Sequence, residues 1–191
     1  MIELLFFPYR FFERAQGRPP RPWLGLLVAS LANLTVLLAY ELATRELPKT
    51  AAYSVSWPWR AAVLLLGILL SWGFLGLVLH LLTGLGARAF ELAGWVFAPW
   101  AVLGPPLLMV SALIPVEARL TPFPDDPALR AAWLDAYQRA VQTSFSVQLV
   151  HWARALRVLW GGWILYASVR TLAPKRAVLA TGAYLILQLA G

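Results

Sequence analysis

The sequence predicts an all-α, polytopic membrane helical bundle: five transmembrane helices, an amphipathic N-terminal segment, and an interfacial helix before the fourth span. Three observations carry the prediction. Hydrophobic residues make up 60% of the 191-residue chain and charged residues only 13%, with a mean hydropathy of +0.67. A soluble domain carries roughly 25% charge and 45–50% apolar residues, so this chain has too little polar surface to coat a globule in water. The apolar residues fall in long unbroken runs, whereas the strands of a membrane barrel alternate over about ten residues. Basic residues collect in short patches between those runs, where they meet headgroups and set topology.

Five runs approach the roughly 20 helical residues that cross a hydrocarbon core of about 30 Å, and their amides are satisfied within helices. The first covers 23–43 and follows Pro22, which suits a first helical turn because it has no amide to leave unpaired. The second covers 59–82, opening through Ser56-Trp57-Pro58 and closing at Thr83-Gly84-Leu85-Gly86. The third covers 89–114 and is interrupted by Pro99 and by Gly104-Pro105-Pro106. The fourth covers 147–169, and the short last run covers 177–190. Trp23, Trp57, Trp59, Trp152 and Tyr40 stand near span ends, as interfacial aromatics do. One membrane domain over 1–191 accommodates everything.

Two further segments are predicted to lie at the membrane surface. Residues 1–16 alternate Leu4, Leu5, Phe6, Phe7, Phe11 and Phe12 with Arg10, Glu13 and Arg14. This stretch is too short to span, and it lacks the basic opening and small-residue cleavage site of a signal peptide. The helix over residues 126–143 is announced by Asp125-Asp126-Pro127, a helix-start signature. Leu129, Trp133, Ala136, Tyr137 and Val141 then recur mostly at spacings of three and four, giving one apolar face.

The count of Lys and Arg orients the chain. With the N-terminus inside, the inner segments hold Arg10, Arg14, Arg18, Arg21, Arg88, Arg170, Lys175 and Arg176. The outer ones hold Arg45, Lys49, Arg60, Arg119, Arg130 and Arg139, so eight face six. This predicts a cytoplasmic N-terminus and an external C-terminus. The net charge of +7 does not indicate nucleic acid, because its arginines do not form one contiguous basic face.

With no cysteine, two isolated histidines and no paired acids inside the runs, the chain lacks the parts for metal or acid–base chemistry. Ser144 and Ser146 have no His–acid partner at suggestive spacing, and no Gly-rich phosphate loop occurs. The sequence therefore predicts no enzyme, no cofactor, and no catalytic or metal-binding residue. A single Asn (Asn33) and two Met suit a thermophilic source, although a GC-rich genome produces the Arg bias by itself.

Ionisable groups inside spans raise a functional hypothesis. His151, Arg154 and Arg157 recur every three residues at the start of the fourth span, which puts them on one face. Three readings are open: both arginines snorkel to the outer headgroups, they pair with Glu91, Glu41 or another acid, or they hold an anionic substrate or lipid phosphate. Glu91 and His80 flank the loop between spans two and three and could pair across it, or both be interfacial. Asn33 is expected to bond a neighbouring helix. Pro99 and Pro105-Pro106 free carbonyls near mid-membrane, which is either a packed kink or one wall of a transport site. Gly67 and Ser71, and Gly25 and Ala29, stand four apart and allow close helix approach, within the chain or between copies.

Three stretches resemble the Yip (Ypt-interacting) family of integral membrane proteins, in its small bacterial members. The first is Phe6-Phe7-Pro8-Tyr9-Arg10-Phe11-Phe12 followed by Pro20-Arg21-Pro22-Trp23, similar to a Pro-x-x-x-Phe opening before the first span. The second is Phe90 to Pro99, similar to a Gly-Tyr-x-x-x-Pro signature with Trp95 in place of Tyr. The third is the close from Leu156 to Gly191, a Trp-bearing span, a basic turn and a final apolar run. The segment around Asp125-Asp126 departs from that pattern. The resemblance implies five spans, a cytoplasmic N-terminus and a bacterial inner-membrane location. Eukaryotic relatives associate with prenylated small GTPases and carry a long cytosolic N-terminal region that this sequence lacks, so GTPase binding is not expected.

Together these readings predict a non-enzymatic membrane protein that organises lipids or partner proteins, with membrane lipids and a second copy or another membrane protein as its partners. The alternative is a small transporter or channel whose anionic-substrate or lipid-phosphate site lies between the broken third helix and the His151/Arg154/Arg157 face.

Overall fold

The computed structural model describes residues 2–48, 57–118 and 120–190. Lys49, Ser56 and Arg119 lie outside them, as do the side chains of Trp57 and Pro58. The described residues form helices and connections, with no strand among them.

Helix α3 (Pro22–Ala43) starts where Pro22 supplies a ready-made first-turn φ. Its polar side chains are satisfied within the helix: Asn33 Nδ2 donates to Ala29 O at 2.8 Å and Thr35 Oγ1 to Leu31 O at 2.8 Å. Asn33 thus bonds its own preceding turn rather than a neighbouring helix, because a free amide in an apolar layer takes the nearest carbonyl. Helix α4 (Trp57–Thr83) is followed by a turn in which Gly84 (φ 73°) and Gly86 (φ 57°) take left-handed conformations that a side chain would strain. That turn sends α5 (Ala87–Trp95) back between α3 and α4.

The seam of α3 and α5 is a backbone contact. A Cβ on Gly94 would stand 2.0 Å from Gly25 O, and one on Gly25 would stand 2.7 Å from Glu91 O. Gly25 and Ala29 therefore serve packing inside the chain. Gly67 meets nothing within 4 Å among the described residues, and Ser71 Oγ donates to its own helix at Ile68 O. On the other side of α5, Gly76 of α4 admits the Phe90 ring, and Trp72 Nε1 donates to Phe90 O at 2.9 Å.

The third apolar run is two helices. Residues 96–99 form a turn, and α6 (Trp100–Leu113) follows. Pro99 has no amide to offer Trp95 O, which accepts from Ala98 N at 3.0 Å instead, and Phe97 N likewise shortens its bond to Gly94 O. The predicted second interruption, at Gly104-Pro105-Pro106, does not occur: all three residues lie inside α6. Gly104 carries no Cβ to clash with the ring of Pro105, and both prolines face outward.

Helix α7 (Pro127–Thr143) is capped by Asp126, whose carboxylate accepts from Ala128 N at 2.9 Å. Its Trp133 and Val141 are buried, while Leu129 is exposed. Helix α8 (Phe145–Leu172), capped by Ser144, is the longest element among the described residues, about 42 Å at about 1.5 Å per residue. A short 3₁₀ turn leads to α9 (Ala177–Ala190), whose 14 residues rise about 21 Å on the same scale.

The N-terminal stretch forms α1 (Ile2–Phe6) and α2 (Pro8–Ala15). Predicted as a surface-lying segment, it is docked on α8: Trp160 Nε1 donates to Leu5 O at 2.9 Å and Gln16 Nε2 to Thr171 O at 3.2 Å. Tyr9 packs edge-on against Trp163. These contacts run in step, so α2 lies lengthwise beside the C-terminal half of α8, and Leu4, Leu5 and Phe12 are buried there.

Among the described residues, three stretches are long and apolar enough to cross a membrane: Pro22–Ala43, Ala62–Thr83 and Ala87–Leu113. Their outer surfaces carry exposed Leu27, Leu31, Leu66, Leu70, Phe74 and Met109, which water would not tolerate in such density.

Candidate functional site

The break between α5 and α6 is where three helices and a buried cation meet. Gly161 and Gly162 of α8 are both buried, and a Cβ on Gly161 would stand 2.4 Å from Val96 O. The turn therefore lies directly on α8, with Pro99 buried beside it. One turn before Gly161 on α8, Arg157 is 7% exposed. Its guanidinium carbon lies 4.8 Å from the centre of the Phe97 ring, and Nη1 donates to Tyr184 Oη of α9 at 3.3 Å. Tyr184 is wholly buried and the largest such side chain among the described residues. Among the described residues, Arg157 Nε has no hydrogen-bond partner.

Magnitudes show how this cation is tolerated. An Arg at the centre of a membrane helix costs about 2.5–3.5 kcal/mol on insertion scales. A desolvated cation–π contact returns about 2 kcal/mol, and a hydrogen bond to a charged group about 1.5–3 kcal/mol. The two contacts are of the size that such an insertion would cost, so the buried cation is accommodated without a carboxylate.

The predicted cationic face is not one face. His151 and Arg154 are exposed, and only Arg157 turns inward. A spacing of three falls short of a 3.6-residue turn by about 60° each time, so six residues rotate the side chain through about 120°. Nor does an acid join Arg157 among the described residues. Glu41 pairs with Arg60, and Glu91 turns to the start of α3, where Oε2 accepts from Arg21 N at 3.0 Å and Oε1 from Trp95 Nε1 at 3.4 Å. The pairing of Glu91 with His80 is not formed among the described residues; His80 Nδ1 is buried without a partner. Of the predicted break residues, Pro99 adjoins the site, whereas Gly104 packs against Thr35 and Pro105 and Pro106 face outward.

Two cavities flank the break. One of about 180 Å³ between α3 and the α5–α6 turn is lined by Val28, Ala32, Thr35, Phe97 and Trp100 among others. One of about 400 Å³ between α6 and α8 is lined by Leu103, Pro106, Leu107, Leu149, Trp152 and Leu156 among others. Neither lining includes an ionisable side chain. Among the described residues, no group of three or more His, Asp or Glu could hold a metal ion.

Sequence reasoning missed Tyr184 and Phe97 as members of this centre. Tyr184 is one of the few polar-tipped side chains in its apolar run, and Phe97 stands two residues before Pro99, but no local spacing joins either to Arg157.

No curated protein and no solved structure matches the chain. The Yip1 domain matches residues 2–191, the stretch that contains α1 to α9, and the chain is therefore a membrane protein belonging to the Yip1 family.

Proposed function

We propose that the chain is a non-enzymatic membrane protein that organises lipids or partner proteins in the bilayer, acting through its packed and lipid-facing surfaces. The packing of the helix break carries this reading. A transport site needs a hydrated polar cavity against freed backbone. Here the Val96 carbonyl rests on Gly161, Pro99 is buried, and Arg157 is engaged by Phe97 and Tyr184. The flanking cavities are walled by apolar side chains, which suits acyl chains or another helix better than a solute. Membership of the Yip1 family supports the non-enzymatic part of the reading.

A second reading rests on one observation: the Arg157 cation is buried with Nε unbonded and no carboxylate beside it, so an anion could complete it in a small transporter or channel. Reconstitution decides between the two. Vesicles carrying the protein should release chloride or phosphate no faster than protein-free vesicles, while crosslinking in membranes captures a second copy or another membrane protein. Anion release that disappears in Arg157→Met overturns the organising reading in favour of transport.

The proposed topology has five membrane-embedded units, α3, α4, α5–α6, α8 and α9, in a bacterial inner membrane. The N-terminal side is cytoplasmic and α9 heads toward the external face. Counted from Leu172, Arg157 lies about 22 Å up α8, Arg154 about 27 Å and His151 about 32 Å. In a hydrocarbon layer about 30 Å thick, Arg154 and His151 reach external headgroups while Arg157 stays within. The absence of cysteine allows a direct test. A membrane-impermeant maleimide should label Asp125→Cys on intact cells and Lys175→Cys only after permeabilisation; the reverse pattern inverts the orientation.

A further inference from the structure

The opposite end of the bundle carries cations that the Arg157 centre does not use. Arg88, just after the α4–α5 turn, donates from Nη1 to Ala15 O at 2.9 Å and from Nη2 to Arg18 O. Those carbonyls close α2 and open its link to α3, so Arg88 is a strut that fixes the link over α5. Arg18 and Arg21 within that link are different. Both are exposed, and neither guanidinium makes a hydrogen bond or ion pair among the described residues. They border a cavity of about 80 Å³ whose apolar walls are Phe11, Phe12, Leu24 and Trp95. Glu91 is the acid in that lining, and its oxygens already accept from Arg21 N and Trp95 Nε1. Among the described residues, the segments gathered at this end carry eight Lys and Arg against three acids (Glu3, Glu13 and Glu91), while those of the other end carry four against six.

We propose that this cavity binds the phosphate of an anionic phospholipid headgroup between Arg18 and Arg21, with the glycerol and upper acyl chain against Phe11, Phe12 and Trp95. Three features select a lipid over a soluble anion. The cavity lies level with the ends of the apolar stretches that begin at Pro22 and Ala87, which is headgroup depth. Its cations point to an anion, and a basic pocket between helices at the cytoplasmic side is a lipid-headgroup receptor. Its aromatic walls add contact that an inorganic ion cannot use. The inference rests on the lipid-organising reading and gives it a site and a lipid class.

The test uses the full chain in detergent, with phosphatidylglycerol or phosphatidylcholine of identical chains added, and counts bound lipid by native mass spectrometry. The wild-type protein retains phosphatidylglycerol in preference to phosphatidylcholine. Arg18→Gln with Arg21→Gln weakens phosphatidylglycerol retention about 25-fold, about fivefold for each cation near the surface, and leaves the lipid-free melting temperature unchanged because neither side chain is bonded. Lys175→Gln with Arg176→Gln removes the same charge at the same end, outside the cavity, and retains the lipid within about twofold of wild type if the site is local rather than a diffuse field. Equal losses in the two pairs, or none in either, overturn the site while leaving lipid binding in place. Displacement of phosphatidylglycerol by millimolar inorganic phosphate or glycerol 3-phosphate overturns the lipid as ligand. A wild-type protein that retains neither lipid removes the lipid-organising reading itself.

Discussion

Helices α4 and α5 are the two arms of one hairpin, yet their surroundings are opposite. In α5 every residue from Leu92 to Trp95 is buried, and Gly94 touches the backbone of α3. In the first half of α4, Val63, Leu65, Leu66, Leu69 and Leu70 are exposed, and Gly67 faces open space. Both arms are apolar, so hydrophobicity does not separate them. Lipid tails are as apolar as Leu, and helix association in a bilayer depends instead on how closely backbones approach. The same residue type, glycine, therefore means contact at position 94 and, among the described residues, only open space at position 67.

The largest expected effect falls on the tight arm. Gly94→Val places branched carbons where Gly25 O stands 2.0 Å from the first of them, and a backbone cannot yield as a flexible side chain can. Overpacking of this kind costs about 1–3 kcal/mol and sometimes more; here the upper end or beyond is expected, seen as aggregation or a sharply lower melting temperature in detergent. A Gly94→Val protein that melts like the wild type would erase the contrast between the arms.

How much of this was legible in the sequence follows from which constraints are local. The apolar runs could be read directly, because each must satisfy its own amides in lipid and so must be long, continuous and helical. The break at Pro99 was legible for a similar reason: one missing donor has a local consequence. The same logic over-reached at Pro105 and Pro106, where Gly104 and an outward-facing position let the helix continue. The cap at Asp126 was readable from three consecutive residues. What could not be read was which side of α8 is buried, since a spacing of three drifts around the helix and the partner helices set the angle. Arg157 could be singled out as a charged residue in an apolar run, but Phe97 and Tyr184 come from elements remote in sequence. Docking of α2 along α8 was hidden for the same reason, because an aromatic segment suits a headgroup layer and a tryptophan-lined helix equally well.

A middle-sized effect is expected at the Arg157 centre. Tyr184→Phe removes the hydroxyl that accepts from Nη1 and leaves the cation with Phe97 alone, which should cost about 1.5–3 kcal/mol. Arg157→Met strands the hydroxyl instead but removes the buried charge, so its cost is smaller. Replacing both partners by apolar groups of similar size brings stability back near the wild type, as it does for other buried polar pairs. A double-mutant cycle in detergent, read by unfolding midpoint, measures this. Additive single effects would mean that Arg157 and Tyr184 do not depend on one another, and the centre would reduce to two separate packing contacts.

The smallest effect tests the loose arm and is the most discriminating about partners. Gly67 lies within α4, where glycine destabilises a helix by about 0.5–1 kcal/mol relative to alanine, and the space beside it is open. Gly67→Ala should therefore raise the unfolding midpoint by up to that amount, with no change in the crosslinked species recovered from membranes. The exposed Ser71, one turn away, makes the alternative concrete: a second copy that packs against Gly67 and Ser71 would need the bare backbone at position 67. In that case the alanine methyl pushes the copies apart, the crosslinked dimer falls, and the stability gain is lost with it. A rise in stability without loss of dimer leaves α4 facing lipid; a loss of dimer makes its outer half an interface and turns Gly67 into a counterpart of Gly94 between chains.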